Sequence, residues 1–257
     1  MKFRTDMQYK NGNLAVRDND RADNSHPLPE LKLPDTLGSD QWAQSFRNNL
    51  APHALDNDSE LFSALSVQER MAKKTQKLAN ARNNQHPDEK QAVHLRKVHD
   101  EYERSQHLFA REVAAARGKL KMRLITAQSE FEKDLKFDAS DSNGIQAALR
   151  NMDPKSQQKE IQDQIERGDG RGLAAILKGH HLTIGISYDQ QQALRTQAMN
   201  MHRPDLLALE NEVKRADELL SKSFDDFLLI SDTLTAKEVR EKYEVQAKKA
   251  EEARSGF

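Results

Sequence analysis

Nine histidines are the first side chains to test for chemistry, because imidazole ligates metals and titrates near neutral pH. His94, His99 and His107 fall on one predicted helix. A helical ligand pair needs a spacing of four, whereas His94 and His99 are five apart, roughly 140° around the axis. His180 and His181 are adjacent, and His202 stands far along the chain. Zinc needs three or four converging ligands, and this spacing assembles none. The histidines are read as surface or helix-end residues, with no metal and no cofactor expected. The chain has no cysteine, which removes disulfides, thiolate metal sites and cysteine nucleophiles.

Glycines give the next candidate. Gly168-Asp169-Gly170-Arg171-Gly172 precedes a predicted short helix, and a glycine-rich turn there can offer free N–H groups to phosphate. It lacks the Lys-Ser/Thr ending of a P-loop, and no predicted strand precedes it. Its reading is a turn between helices. Arg167-Gly168-Asp169 matches an adhesion tripeptide, but three letters recur by chance. No serine sits in a Gly-x-Ser-x-Gly elbow, and the carboxylates form no distinctive pair. A non-enzyme is expected. A pocket of converging polar groups among the middle helices would revive the enzyme reading.

Cations are patterned more clearly. Arg70, Lys73, Lys74 and Lys77 recur at i, i+3, i+4 and i+7, one face of a helix, with no acid between Arg70 and Arg82. Arg117, Lys119, Lys121 and Arg123 form a second cluster. Either suits phosphate oxygens or an acidic protein. No aromatics interleave for base stacking, so any nucleic-acid contact would be sequence-independent and weaken steeply with salt. A formal net charge of -1 argues against a globally basic binder.

The elements that must carry these residues are helical. Leu95, Val98, Tyr102, Phe109, Val113, Leu120, Leu124, Phe131 and Leu135 recur at steps of three, four or seven, as one face of a long helix requires. Pro87 is expected to open that helix, with Asp88 and Glu89 in its first turn. Continued to Phe137, it would measure roughly 75 Å. Ala114-Ala115-Ala116 and Gly118 form a thin waist, where small side chains permit a close crossing or a slight bend. Pro204 opens a second long helix. There Leu206, Leu209, Val213, Ala216 and Leu220 step as a heptad seam, extended by Phe224 and Phe227 after a stutter.

Shorter helices are predicted after the capping-box pattern Ser66-Val67-Gln68-Glu69 to about Ala81, from Pro154 to the glycine turn, and from Leu173 to Lys178. Two more follow, from Tyr188 to Met201 capped by Ser187, and from Ala236 after a second box at Thr235. Leu182, Ile184 and Ile186 are read as a buried connector.

Apolar residues make up 36% of the chain and charged residues 32%, against roughly 45–50% and about 25% in ordinary globular chains. Such a chain is expected to use thin seams, leave segments disordered, or bury its stripes against other subunits. Residues 1–58 read as an extended or disordered arm. In it Asn11-Gly12 fits a hairpin turn, Pro27, Pro29 and Pro34 punctuate Leu28, Leu31 and Leu33, and Trp42 and Phe46 suit a short helix. The extended alternative is a strap whose leucines dock on a neighbour. Residues 59–138 hold the basic short helix and the long helix, 139–203 a short-helix connector, and 204–257 the second long helix and a charged tail. The expected fold is all-α and elongated: a long antiparallel helical hairpin or coiled coil with a cap of short helices and an extended N-terminal arm.

The Asn/Asp/Pro-rich arm, the run Asp189-Gln190-Gln191-Gln192, the lack of cysteine and the charged helical tail together resemble helical structural and assembly proteins of tailed bacteriophages. Bacterial coiled-coil adaptors share this style. The resemblance is one of overall character, so no site residue comes with it. It implies a virion or assembly role: scaffold, head–tail component or ejection protein. The expected partners are protein, as a homo-oligomer or larger assembly, with nucleic acid as the alternative. The start of the chain lacks the apolar core of a signal peptide, so a cytoplasmic or virion location is expected.

Overall fold

The computed structural model describes residues 7–10, 13–16, 26–38 and 59–255. The chain is all-α, and its described residues include a small antiparallel hairpin. Its strands β1 (Met7–Lys10) and β2 (Asn13–Val16) pair Lys10 with Asn13 and Met7 with Val16. That register suits a two-residue turn, although Asn11 and Gly12 themselves lie outside the described residues, as do Trp42 and Phe46. The helices are α1 (Asp35–Gly38), α2 (Ser59–Asn83), α3 (Gln91–Asp134), α4 (Ser142–Arg150), α5 (Pro154–Arg167) and α6 (Gly170–Leu177). They continue with α7 (His181–Ile184), α8 (Tyr188–His202), α9 (Pro204–Leu229), α10 (Ser231–Leu234) and α11 (Lys237–Ser255). Among the described residues, no helix is long and apolar enough to cross a membrane.

Several expectations about boundaries need correction. Helix α3 starts at Gln91 rather than Pro87, because His86–Lys90 closes a turn in which the Glu89 N–H donates to His86 O at 3.0 Å. Ser66 caps nothing: it lies inside α2. Thr235 is no simple cap either, since its hydroxyl and carbonyl accept from the Arg240 guanidinium. Leu182 is exposed rather than part of a buried connector, while Ile184 is fully buried.

The chain forms two units. The first holds Met1–Leu33, Gln76–Ser105 and Leu228–Phe257. Leu95, Ala236 and Val239 form its apolar cluster, with Leu28 and Tyr243 packed against it. Val98 and Tyr102 are also buried here. Burial holds the Tyr102 hydroxyl above the usual tyrosine value, a shift that a hydrogen bond with Ser231 opposes.

The second unit holds Pro34–Thr75 and Gln106–Phe227. One of its clusters joins α2, α3 and α9: Leu61, Ala64 and Val67 meet Val113, Ala116 and Leu120, and Val213, Ala216 and Leu220. Each helix brings one alanine between larger residues. Another cluster gathers Phe131, Leu149, Ile161, Ile165, Leu173, Ile176, Ile184, Met199 and Leu206 around the short helices. Residues 139–203 are thus more than a connector. Short helices leave many terminal carbonyls without intrahelical donors, and here glutamine amides take them. Gln146 donates to Ala175 O at 2.9 Å, Gln191 to Ile176 O at 2.7 Å and Gly179 O at 2.8 Å, and Gln157 to Ile184 O at 2.7 Å.

The fold makes two predictions. Leu120→Ala or Leu220→Ala should cost about 2–5 kcal/mol in denaturant unfolding, and Leu→Asp more; unchanged midpoints would contradict the packing described. The stability from a neutral Tyr102 should be complete below the ordinary tyrosine value of 10.0. It should be lost as pH climbs through the raised folded value, and Tyr102→Phe should flatten that alkaline decline in a pH series of unfolding curves.

Candidate protein-docking site

The structure distributes the predicted seam over several contacts. Leu95, Val98, Tyr102, Phe109, Val113, Leu120 and Phe131 on α3 are each at most 5% exposed, as are Leu206, Val213, Leu220 and Phe227 on α9. Leu124, Leu209 and Phe224 are partly buried. Phe109 meets Phe227 edge-on, with ring centroids 5.7 Å apart. The single continuous stripe is a correction: Leu95 belongs to the first unit's cluster, Val113 and Leu120 to the three-helix contact, and Phe131 to the core of short helices. These residues face other helices of their own chain, and Val113 and Leu120 meet Val213 and Leu220 as the expected packing of the two stripes on each other requires.

What remains open on α3 lies on its opposite side. Leu108, Arg111, Ala115, Gly118, Met122 and Ile125 are all exposed. They follow one another at steps of three and four, a heptad-like row. Leu108 is 45% exposed, Met122 61% and Ile125 48%. Sequence reasoning passed over this row because one helix carries two stripes and the bulkier one dominates the periodicity.

Beside the row, Ala114, Gly118, Leu120 and Leu124 of α3 and Val213 of α9 line an open cavity of about 440 Å³, edged by Lys121, Lys214 and Glu218. Within the expected waist, Gly118 itself takes no part in a close crossing. A Cβ there would meet nothing within 4 Å, and the alanine that enters the helix contact is Ala116. The cavity is braced by Arg117, whose Nε and Nη2 donate to Asp217 at 2.6 and 3.0 Å. That bond holds the guanidinium above its usual range.

Charge along α3 itself is one-sided here, while Glu218 of α9 stands exposed at the edge of the cavity. From His107 to Ser129 the only acid is Glu112, and Arg70 already pairs with it at 3.0 Å. Lys119 and Lys121 stand exposed next to the row. The predicted phosphate contacts are otherwise part-spent: Arg117 is held by Asp217 and Arg123 by Glu130 at 3.6 Å. Lys73 and Lys77 are exposed and Lys74 is partly buried.

The remaining motifs resolve into structure. Gly168 is the left-handed C-cap of α5, and the Asp169 carboxylate caps α6 by accepting from the Arg171 N–H. A Cβ on Gly170 would collide with the carbonyl oxygens of Leu135 and Lys136, so that glycine serves packing. His94 stands in the first turn of α3, a helix end as expected, but it is buried, 8% exposed, with Nε2 on Ala81 O at 2.8 Å and Nδ1 on Glu89 at 3.2 Å. His202 is held by Ile165 O. Among the described residues, no three His, Cys, Asp or Glu side chains converge on a metal site. A smaller cavity among the middle helices, about 170 Å³, is lined by Phe131, Phe137 and Leu177. Its polar edge is engaged in internal bonds such as Lys178–Glu132 at 2.7 Å.

No protein-family model matches the chain, and neither a curated protein nor a solved structure matches it.

The two glycines should respond oppositely to alanine. Gly118→Ala should raise stability by about 1 kcal/mol, the helix preference alone, whereas Gly170→Ala should lower it. Thermal unfolding of both variants checks this, and a loss at Gly118 would show that the position is not open.

Proposed function

We propose that the chain is a non-enzymatic assembly protein that docks an acidic amphipathic helix of a protein partner on the outward face of α3. The observation that carries this reading is the exposed row Leu108, Met122 and Ile125, with Ala115 and Gly118 between them. It sits on a helix whose other side is already covered. Small residues at the centre let a partner backbone approach closely, and the cavity beside Gly118 has room for a side chain. Arg111 within the row and Lys119 and Lys121 beside it, with no exposed acid on α3 between His107 and Ser129, outnumber Glu218 of α9 at the cavity edge, which favours a partner with acidic flanks. The pairing of α3 with α9 as arms of an elongated antiparallel hairpin belongs to this reading. So does a virion or assembly role, which follows the resemblance to tailed-phage structural proteins.

The alternative, a sequence-independent nucleic-acid factor, uses Arg70, Lys73, Lys74, Lys77 and the Arg117–Arg123 cluster, sharing Lys119 and Lys121 with the docking face. It is the weaker reading because Arg70, Arg117 and Arg123 are engaged with carboxylates of the chain itself, and each would have to give up its partner to release a counterion from DNA.

Fluorescence anisotropy separates the two readings. A labelled leucine-heptad peptide of about three heptads with glutamates at the flanking positions and a labelled DNA duplex would be titrated at equal ionic strength. Docking predicts peptide binding that Met122→Asp with Ile125→Asp weakens at least about tenfold, with the helical content unchanged. Binding of the duplex alone, falling steeply with salt, favours the alternative. Binding of neither overturns the docking proposal.

A further inference from the structure

Residues 26–34 run extended across the first unit as far as Leu33, and they are held as a bound peptide is held. Gln91 reads the backbone of His26 from both sides: the His26 N–H donates to Gln91 Oε1 at 2.8 Å, and Gln91 Nε2 donates to His26 O at 2.9 Å. The Tyr243 hydroxyl fixes that amide by donating to Oε1 at 2.6 Å, and its ring lies 5.1 Å from the His26 ring. Three residues on, the Arg82 guanidinium donates to Pro29 O. Between these anchors Leu28 enters the apolar cluster of Leu95, Ala236 and Val239.

Two features mark this as a receptor groove rather than ordinary packing. Arg82 is 3% exposed, and no described carboxylate pairs with it. Its oxygen partners are the strap carbonyl and its neighbour Asn83 at 2.8 Å. Burying a cation among neutral acceptors is costly, and the Pro29 carbonyl supplies one of the two partners of its side chain that offset it. The occupant is also preformed. Pro27 and Pro29 bracket Leu28, and proline fixes φ near the extended range, so docking orders few torsions. None of these contacts depends on the segment belonging to the same copy.

We propose that the groove formed by Arg82, Gln91, Leu95, Val239 and Tyr243 is a receptor for the Pro-Leu-Pro segment of a second copy of this chain, the segment being exchanged between copies through a hinge at Leu33–Pro34. This interaction is independent of the docking face on α3, since every residue in it belongs to the other unit. In isolation the tethered segment has the advantage of a high effective concentration. Exchange takes over where copies are crowded, and it links them without creating any contact not already present.

Complementary variants test the exchange. Leu28→Asp spoils the segment and keeps the groove; Gln91→Ala with Tyr243→Ala spoils the groove and keeps the segment. Mixed at high concentration, the two should form a heterodimer, read as a doubling of mass by light scattering after size exclusion, while each alone stays a monomer. As a check that needs no variant to fold, wild-type chains labelled with donor and acceptor dyes should gain energy transfer on mixing. Excess free peptide of residues 26–33 should abolish it. Monomers in the mixture together with no energy transfer would overturn the exchange. So would binding of the free peptide by the Leu28→Asp chain without any heterodimer, which would confine the segment to its own copy.

Discussion

Every helix ends in carbonyls that its own backbone cannot satisfy, and a chain with many short helices multiplies that demand. The second unit meets it with glutamine. Gln146, Gln157 and Gln191 reach the terminal or loop carbonyls of α4, α6 and α7 through their amide nitrogens. Gln146 and Gln191 are themselves buried. A neutral amide can enter the interior with a smaller desolvation penalty than a lysine or arginine would carry. The core around Leu149, Ile165, Leu173 and Ile176 depends on this, because unsatisfied carbonyls at its rim would each cost about 1–3 kcal/mol.

The second constraint is the shortage of apolar side chains. With 36% of residues apolar, the helices place them where they face other helices, and α2, α3 and α9 each use an alanine within their contact. Ion pairs then hold the edges, Arg117 to Asp217 and Arg70 to Glu112. What is left facing solvent on α3 is a sparse second row, Leu108, Met122 and Ile125, on which the docking proposal rests.

Much of this was legible in the residues. Pro154, Ser187 and Pro204 each open a helix as their chemistry demands, and the Ser187–Gln190 capping box is complete. The apolar periodicity named the buried faces of α3 and α9 correctly, because helical spacing reports which residues share a side. It could not name what covers that side, and so three separate contacts looked like one seam. Ser66 and Thr235 misled because a local capping pattern holds no information about a helix that continues through it or an arginine that takes the hydroxyl. Gly118 suggested a close crossing, but small size permits an approach without requiring one. The strap was the least visible feature. Gln91, Arg82 and Tyr243 meet it from three helices, and no spacing rule links an amide on one helix to a backbone unit far upstream.

The solitary guanidinium of Arg82 carries one more consequence. Paired charges on the surface, such as Arg117 with Asp217, lose attraction as dissolved ions screen them. A cation bound to a peptide carbonyl inside the protein has no opposite charge to be screened from. The grip on the proline-rich segment should therefore survive brine that loosens the bridges elsewhere, making ionic strength a means of telling which part of the molecule has let go.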